Sequence, residues 1–209
     1  MNGDVAPRKS FSMIRTFVLA DIVTLGNASC GTGAIFACLA FLDERRPGWL
    51  WLALALLPVA LVCDILDGSI ARWRRKQSPI GADLDSLADV VSFGVAPAVL
   101  GFTLGLRGGW DAAILLYFVG CGISRLARYN VTASALSDET GKVKYYEGTP
   151  IPTSLALVMA LGIAFAQGHF GDQLWLGVMQ LGPWKLHPLA LMYALSGSMM
   201  ISTIRIPKP

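Results

Sequence analysis

Four aspartates lie inside otherwise apolar stretches of this chain, and their spacing limits what it can become. Residues 64–72 read Asp64-Ile65-Leu66-Asp67-Gly68-Ser69-Ile70-Ala71-Arg72, and after a gap of eight come Gly81-Ala82-Asp83-Leu84-Asp85-Ser86-Leu87-Ala88-Asp89. In helical geometry Asp64, Asp67 and Ala71 share one face, and Gly81, Asp85 and Asp89 form a second single-faced stripe. Two apolar helices joined by a short basic turn would aim these stripes at each other. Converging carboxylates call for cations, and an all-oxygen donor set suits hard divalent ions such as Mg2+ or Mn2+. Paired ions of this kind serve phosphoryl chemistry by clamping the attacking and leaving oxygens. Asp83 is two residues from both Gly81 and Asp85, so it points away from the stripe and is left out of the metal set.

The rest of the chain supplies the apolar setting. Of its 209 residues 54% are hydrophobic and 15% charged, with a mean hydropathy of +0.56. That balance predicts an all-α integral membrane protein rather than a soluble domain. Six stretches approach the ~20 residues that a crossing helix needs: about 20–42, 48–66, 84–106, 110–129, 149–167 and 186–204. Residues 10–20 alternate apolar and polar groups and are expected to lie along the interface. No cleavable leader pattern precedes the first span. Pro58 and Pro97 fall within spans and are expected to mark kinks. Carboxylates at such depth are costly and mark function.

Other chemistries find little material. Cys30, Cys38, Cys63 and Cys121 stand singly in apolar segments, without the paired spacing of a zinc site or a disulfide framework. They read as small buried hydrophobes. His169 and His187 both fall in the last outer loop, too few for His-based catalysis. The basic residues are spread over several loops, which argues against nucleic acid as a partner. With six spans and a cytoplasmic N-terminus, only Arg45, Arg46, Arg107 and Lys185 of the 17 basic residues fall outside. This bias predicts a multi-pass protein of the cytoplasmic (inner) membrane, with both termini and the aspartates on the cytoplasmic side. The whole of 1–209 is expected to form one membrane domain.

The pattern D-x2-D-G-x2-A-R-x8-G-x3-D-x3-D resembles the motif of the CDP-alcohol phosphatidyltransferases, integral membrane enzymes of phospholipid synthesis. All eight of its positions are present here. The segments Asp85-Ser-Leu-Ala-Asp-Val-Val-Ser-Phe-Gly-Val-Ala-Pro97, Arg125-Leu-Ala-Arg128-Tyr-Asn130 and Gly148-Thr-Pro-Ile-Pro152 resemble the phosphatidylserine synthase branch of that family. The resemblance covers residues 20 to about 155; the last two spans match only in being apolar.

That resemblance implies displacement at the β-phosphorus of CDP-diacylglycerol by L-serine, with release of CMP. It implies that Asp64, Asp67, Asp85 and Asp89 hold two divalent cations and that Asp89 serves as general base. Asp67, Gly68, Ala71, Arg72, Gly81 and Asp85 would line the nucleotide and its pyrophosphate. The small residues with Thr24 and Asn27 on the first span suit close helix packing, and the resemblance adds that Thr24 and Asn27 bond cytosine or ribose. Arg125 or Arg128 would hold the serine carboxylate, while Asn130 or Glu147 would receive its ammonium or fix the loop. A homodimer among membrane lipids is expected on the same ground. The alternatives are another acceptor within the family (inositol phosphate, glycerol phosphate or choline) and, outside it, a cation transporter built on intramembrane carboxylates.

Overall fold

The apolar residues of the first two spans recur at alternating intervals of four and three, and that period makes them pair. The computed structural model describes residues 18–74, 80–136, 145–202 and 205–207. Helix α1 (Leu19–Glu44) buries Ala20, Thr24, Asn27, Gly31, Ala34, Cys38 and Phe41, a heptad-like seam along one face. Helix α2 (Pro47–Arg74) answers with Leu50, Ala53, Leu57, Ala60 and Asp67 on its own seam. The two residues Arg45 and Arg46 join them, so they run antiparallel. Arg45 closes α1 in the left-handed region (φ 58), giving its N–H to Phe41 O at 2.9 Å. At the other end Asp21 accepts the Val18 backbone N–H at 2.9 Å. Residues 19–20 of the expected interfacial segment thus belong to α1, and 10–17 lie outside the described residues.

The third span is the most enclosed and is not uniform. Helix α3 (Gly81–Asp89) passes into a π-helical stretch, Val90–Val95, and then helix α4 (Ala96–Leu104). Pro97 has no N–H to give the Phe93 carbonyl, and the ladder widens just before it, with Ala96 N–H reaching Val91 O. Pro58 behaves differently: α2 continues unbroken on both sides of it. At the π-helical stretch the chain comes against α1, where a Cβ on Gly31 would lie 2.4 Å from Ser92 Oγ and 2.7 Å from Ser92 Cα. Only a glycine allows that approach.

Helix α5 (Gly109–Leu136), helix α6 (Leu155–Ala166) and helix α7 (Leu191–Ile201) complete the bundle. Tyr193 of α7 is fully buried, stacks edge-on against Phe118 of α5 at 5.1 Å and donates its hydroxyl to Pro97 O at 2.7 Å. At the end of the bundle remote from the aspartates, Asp111 Oδ1 accepts the His187 N–H at 2.8 Å and Oδ2 meets His187 Nδ1 at 2.6 Å. His187 is therefore a loop residue, as expected, but a buried and bonded one.

Four helical stretches, Leu19–Glu44, Pro47–Ile70, Gly81–Leu104 and Gly109–Val131, are long and apolar enough to cross a membrane. The last two apolar helices, Ile151–Ala166 and Pro188–Ile201, are shorter than predicted. Pro150 and Pro152 hold the start of one in an extended residue and a 3-10 turn, and Pro188 opens the other in the same way. The expectation of a purely helical chain also needs correction. Strand β1 (Tyr145–Glu147) pairs antiparallel with β4 (Arg205–Pro207), and β2 (Met179–Leu181) with β3 (Trp184–Leu186). Each has three residues, below the length at which period-two patterning can be read.

Replacing Gly31 with alanine should force α1 and the π-helical stretch apart, at a cost of about 1–3 kcal/mol for overpacking. Thermal unfolding of the detergent-purified protein should show a clear loss for Gly31→Ala and none for Gly48→Ala, where an added Cβ meets nothing within 4 Å.

Candidate functional site

The seams that pair α1 with α2 change character along their length. Between Phe41 and Gly31 on α1, and between Leu50 and Ala60 on α2, they are apolar; beyond these they carry Asn27 and Thr24 on α1 and Asp67 on α2. Helix α3 starts beside this polar end and adds Asp85 and Asp89. One carboxylate oxygen from each of Asp64, Asp67 and Asp85 lies within 4.8 Å of the others. Asp67 and Asp89 are buried, Asp64 and Asp85 half-buried. Asp89 stands outside the trio but beside it, its carboxyl against that of Asp64. Asp83 is exposed and apart from the cluster.

The two buried acids each have a donor on α1. Thr24 Oγ1 is 2.6 Å from Asp67 Oδ2 and 3.1 Å from Ala20 O. A hydroxyl has one proton, and the short contact to a charged acceptor is the stronger claim on it. Asn27 Nδ2 donates to Asp89 Oδ1 at 3.2 Å, and Ser92 Oγ donates to the Asn27 backbone carbonyl at 2.9 Å. Neither partnership was read from the sequence; the signal was the spacing of Thr24 and Asn27, i and i+3 on one face.

A hard cation fits this donor set. Asp85 Oδ1 is buried with no hydrogen-bond partner, as is Asn27 Oδ1. Buried polar atoms without partners are uncommon in native folds, and a divalent ion among the three carboxylates would take up the Asp85 oxygen. The surroundings leave room for a ligand. A Cβ on Gly68 would meet only the end of the Arg72 side chain, at 3.7 Å, so no neighbouring backbone demands the glycine. The Arg72 guanidinium folds back over that turn, 3.4 Å from Ser69 Oγ. Gly81 is the first residue of α3, and the Ala71 side chain lies outside the described residues.

The residues expected to hold an acceptor are divided. Asn130 on α5 exchanges hydrogen bonds with Ser86, at 3.0 and 3.2 Å, next to Asp85. Arg125 is half-buried one helical turn before Arg128. Arg128 Nη2 reaches Ile201 O, the last residue of α7, at 3.4 Å. Glu147 lies in β1 opposite Arg205; its side chain is outside the described residues.

A sequence model of the CDP-alcohol phosphatidyltransferase family matches residues 17–196. Three curated relatives carry the name CDP-diacylglycerol–serine O-phosphatidyltransferase. That of Saccharomyces cerevisiae is 41% identical over 203 residues, covering 95% of this chain and 74% of the relative. That of Mycobacterium bovis is 37% identical over 170 residues, 80% of this chain and 56% of the relative. That of Methanocaldococcus jannaschii is 30% identical over 202 residues, 95% of this chain and 78% of the relative. The chain thus spans little more than half the length of the mycobacterial protein.

Mn2+ titrated into the purified protein and followed by electron paramagnetic resonance should reveal a site that Asp67→Asn or Asp85→Asn weakens about tenfold or more. Asp83→Asn should bind as the wild type does. Equal loss in all three would disperse the site over the acidic surface.

Proposed function

We propose that this chain, which belongs to the CDP-alcohol phosphatidyltransferase family, transfers the phosphatidyl group of CDP-diacylglycerol to the hydroxyl of L-serine and releases CMP. The observation that carries the reading is the meeting of Asp64, Asp67 and Asp85 within 4.8 Å at one end of an apolar bundle. The serine acceptor rests on the relatives that bear that activity in their names.

In this reading Asp64, Asp67, Asp85 and Asp89 hold two divalent cations, Mg2+ or Mn2+. Such ions, when bound, draw charge from a pyrophosphate and lessen its repulsion of an incoming oxygen. The chain's own residues do the rest. Gly68, Ala71 and Gly81 let the nucleotide approach two helix backbones, and Arg72 neutralises phosphate oxygens with a planar fork of donors. Thr24 and Asn27 border the nucleotide, where the unpartnered Asn27 Oδ1 is an acceptor for an amino group. Asp89 takes the proton of the serine hydroxyl. The serine oxygen then bonds to the β-phosphorus while the bond from that phosphorus to the bridging oxygen breaks, and CMP leaves with that oxygen. Arg125 or Arg128 holds the serine carboxylate, and Asn130 or Glu147 its ammonium or the loop.

The setting we propose is one domain over 1–209. Ile151–Ala166 and Pro188–Ile201 also cross, for six spans, with an interfacial segment before α1. Both termini and the acids face the cytoplasm at the inner membrane, and the protein is a homodimer. A transporter that uses intramembrane carboxylates would not account for the open space over Gly68 or the guanidinium beside it.

Product analysis by mass spectrometry tests the reaction. Purified protein given CDP-diacylglycerol, Mn2+ or Mg2+ and equal amounts of serine, glycerol 3-phosphate, inositol 3-phosphate and choline should yield phosphatidylserine and CMP together, and neither with EDTA. A different phospholipid would overturn the acceptor, and absence of CMP the enzyme reading. Asp89→Asn should stay folded and bind nucleotide with turnover lowered about 100-fold or more; retained turnover would remove Asp89 as base. The serine KM should rise in Arg125→Ala or Arg128→Ala, and unchanged values in both would move the carboxylate site elsewhere.

A further inference from the structure

Asn27 is fully buried, one of few polar side chains so enclosed among the described residues. Its amide presents one face to Asp89, through Nδ2 at 3.2 Å. Its main chain is gripped from the other direction by Ser92, three residues beyond Asp89, at 2.9 Å. Between those two contacts the helix leaves α geometry, because the π-helical stretch begins at Val90, immediately after Asp89. Such stretches cluster at functional sites. Here Ser92 lies against Gly31, where a Cβ would be 2.7 Å from the Ser92 Cα, so its backbone comes close to α1. Asp89 is thus caught between a main-chain anchor and a side-chain donor supplied by a single turn of α1.

A carboxylate crowded by like charges has reason to turn away from them. Asp89 has Asp64 against it and Asp67 and Asp85 nearby. A neutral donor within hydrogen-bond distance selects one orientation of that carboxylate without adding a charge. We propose that Asn27 is the positioning residue for Asp89: its amide N–H aims the base at the acceptor hydroxyl, and Ser92 fixes the helix turn that carries the amide. The proposal rests on the reading of Asp89 as the base. Thr24 does the parallel service for Asp67 one turn earlier, at 2.6 Å. The two half-buried acids, Asp64 and Asp85, stay open to a ligand. Asn27 acts through Asp89, so its loss should slow the chemical step and leave serine binding nearly intact. A buried asparagine that only set helix register would instead change stability, and one that only bound nucleotide would change KM.

Steady-state kinetics on full-length protein separate these roles, with phosphatidylserine formation as readout. Asn27→Ala should lose about 10–100-fold in kcat, as removal of an orienting partner does. KM for serine should stay within about threefold, and any rise in KM for CDP-diacylglycerol from the lost Oδ1 contact should come on top of the fall in kcat, not in place of it. Ser92→Ala, which keeps the amide and releases its anchor, should show a smaller loss of the same kind, and it carries the test if Asn27→Ala does not fold. Unchanged kcat in the folded variant, or a raised KM for CDP-diacylglycerol with kcat intact, would overturn the proposal. A lowered melting temperature with wild-type kinetics would reduce Asn27 to a register residue and overturn it equally. Asp89→Asn measured in parallel keeps the two readings apart. If it is inactive and Asn27→Ala is not impaired, positioning fails and the base stands; if it is active, both fall.

Discussion

Three carboxylate oxygens within 4.8 Å of one another set the terms for the rest of the molecule. At an effective dielectric constant near 20, two unit charges at that separation repel by on the order of 3 kcal/mol. Nothing among the described residues offsets this with an ion pair, since Arg72 is turned toward Ser69 and Gly68. A site of this kind persists only if the surrounding fold is rigid enough to hold the acids together, and its all-oxygen donor set suits a hard cation. The arrangement of the helices is understandable as the means of that rigidity.

The α1–α2 pair supplies it through one continuous seam with two compositions. The apolar length, from Phe41 and Leu50 to Gly31 and Ala60, provides burial, which drives close packing in water and in lipid depends on small residues and dispersion. The polar length is then carried at the same spacing without a change of helix geometry, so Thr24 and Asn27 arrive facing the acids with backbone positions already determined. A loop could present the same side chains, but not with that precision. The acids therefore sit at the end of a packed rod, and the π-helical stretch brings the third helix against it where Gly31 and Ser92 touch.

Much of this was legible in the sequence because it depends on local period. The acid spacing gave both stripes, and the apolar runs gave helices whose limits fall within a few residues of those observed, except that α2 and α5 run on to Arg74 and Leu136, past the apolar runs, and α6 and α7 begin only at Leu155 and Leu191, after prolines. What escaped depends on contacts between segments distant in the chain. Thr24 and Asp67, Asn27 and Asp89, and Asp111 and His187 are separated by 43, 62 and 76 residues, and no periodicity links them. The π-helical stretch escaped for another reason: Pro97 announces a lost hydrogen bond but not how the ladder will rearrange. The two β ribbons are three residues long on each side, and so short a run of residues carries no pattern to recognise.

The inner end of α5 extends the argument from the acids to the acceptor. Asn130 is bound to Ser86 on the acid-bearing α3, while Arg128, two residues earlier, reaches the last carbonyl of α7. One short stretch of helix thus touches both the acid-bearing helix and a helix that carries none of the acids. Substitutions around Arg125 and Arg128 are therefore remote from the α1–α2 seam, whereas a change at Asn130 is felt at Ser86, beside Asp85. In the reading proposed above, such a fold can keep its phosphoryl-transfer centre while its choice of alcohol changes, because the four acids lie on α2 and α3 and the two arginines on α5.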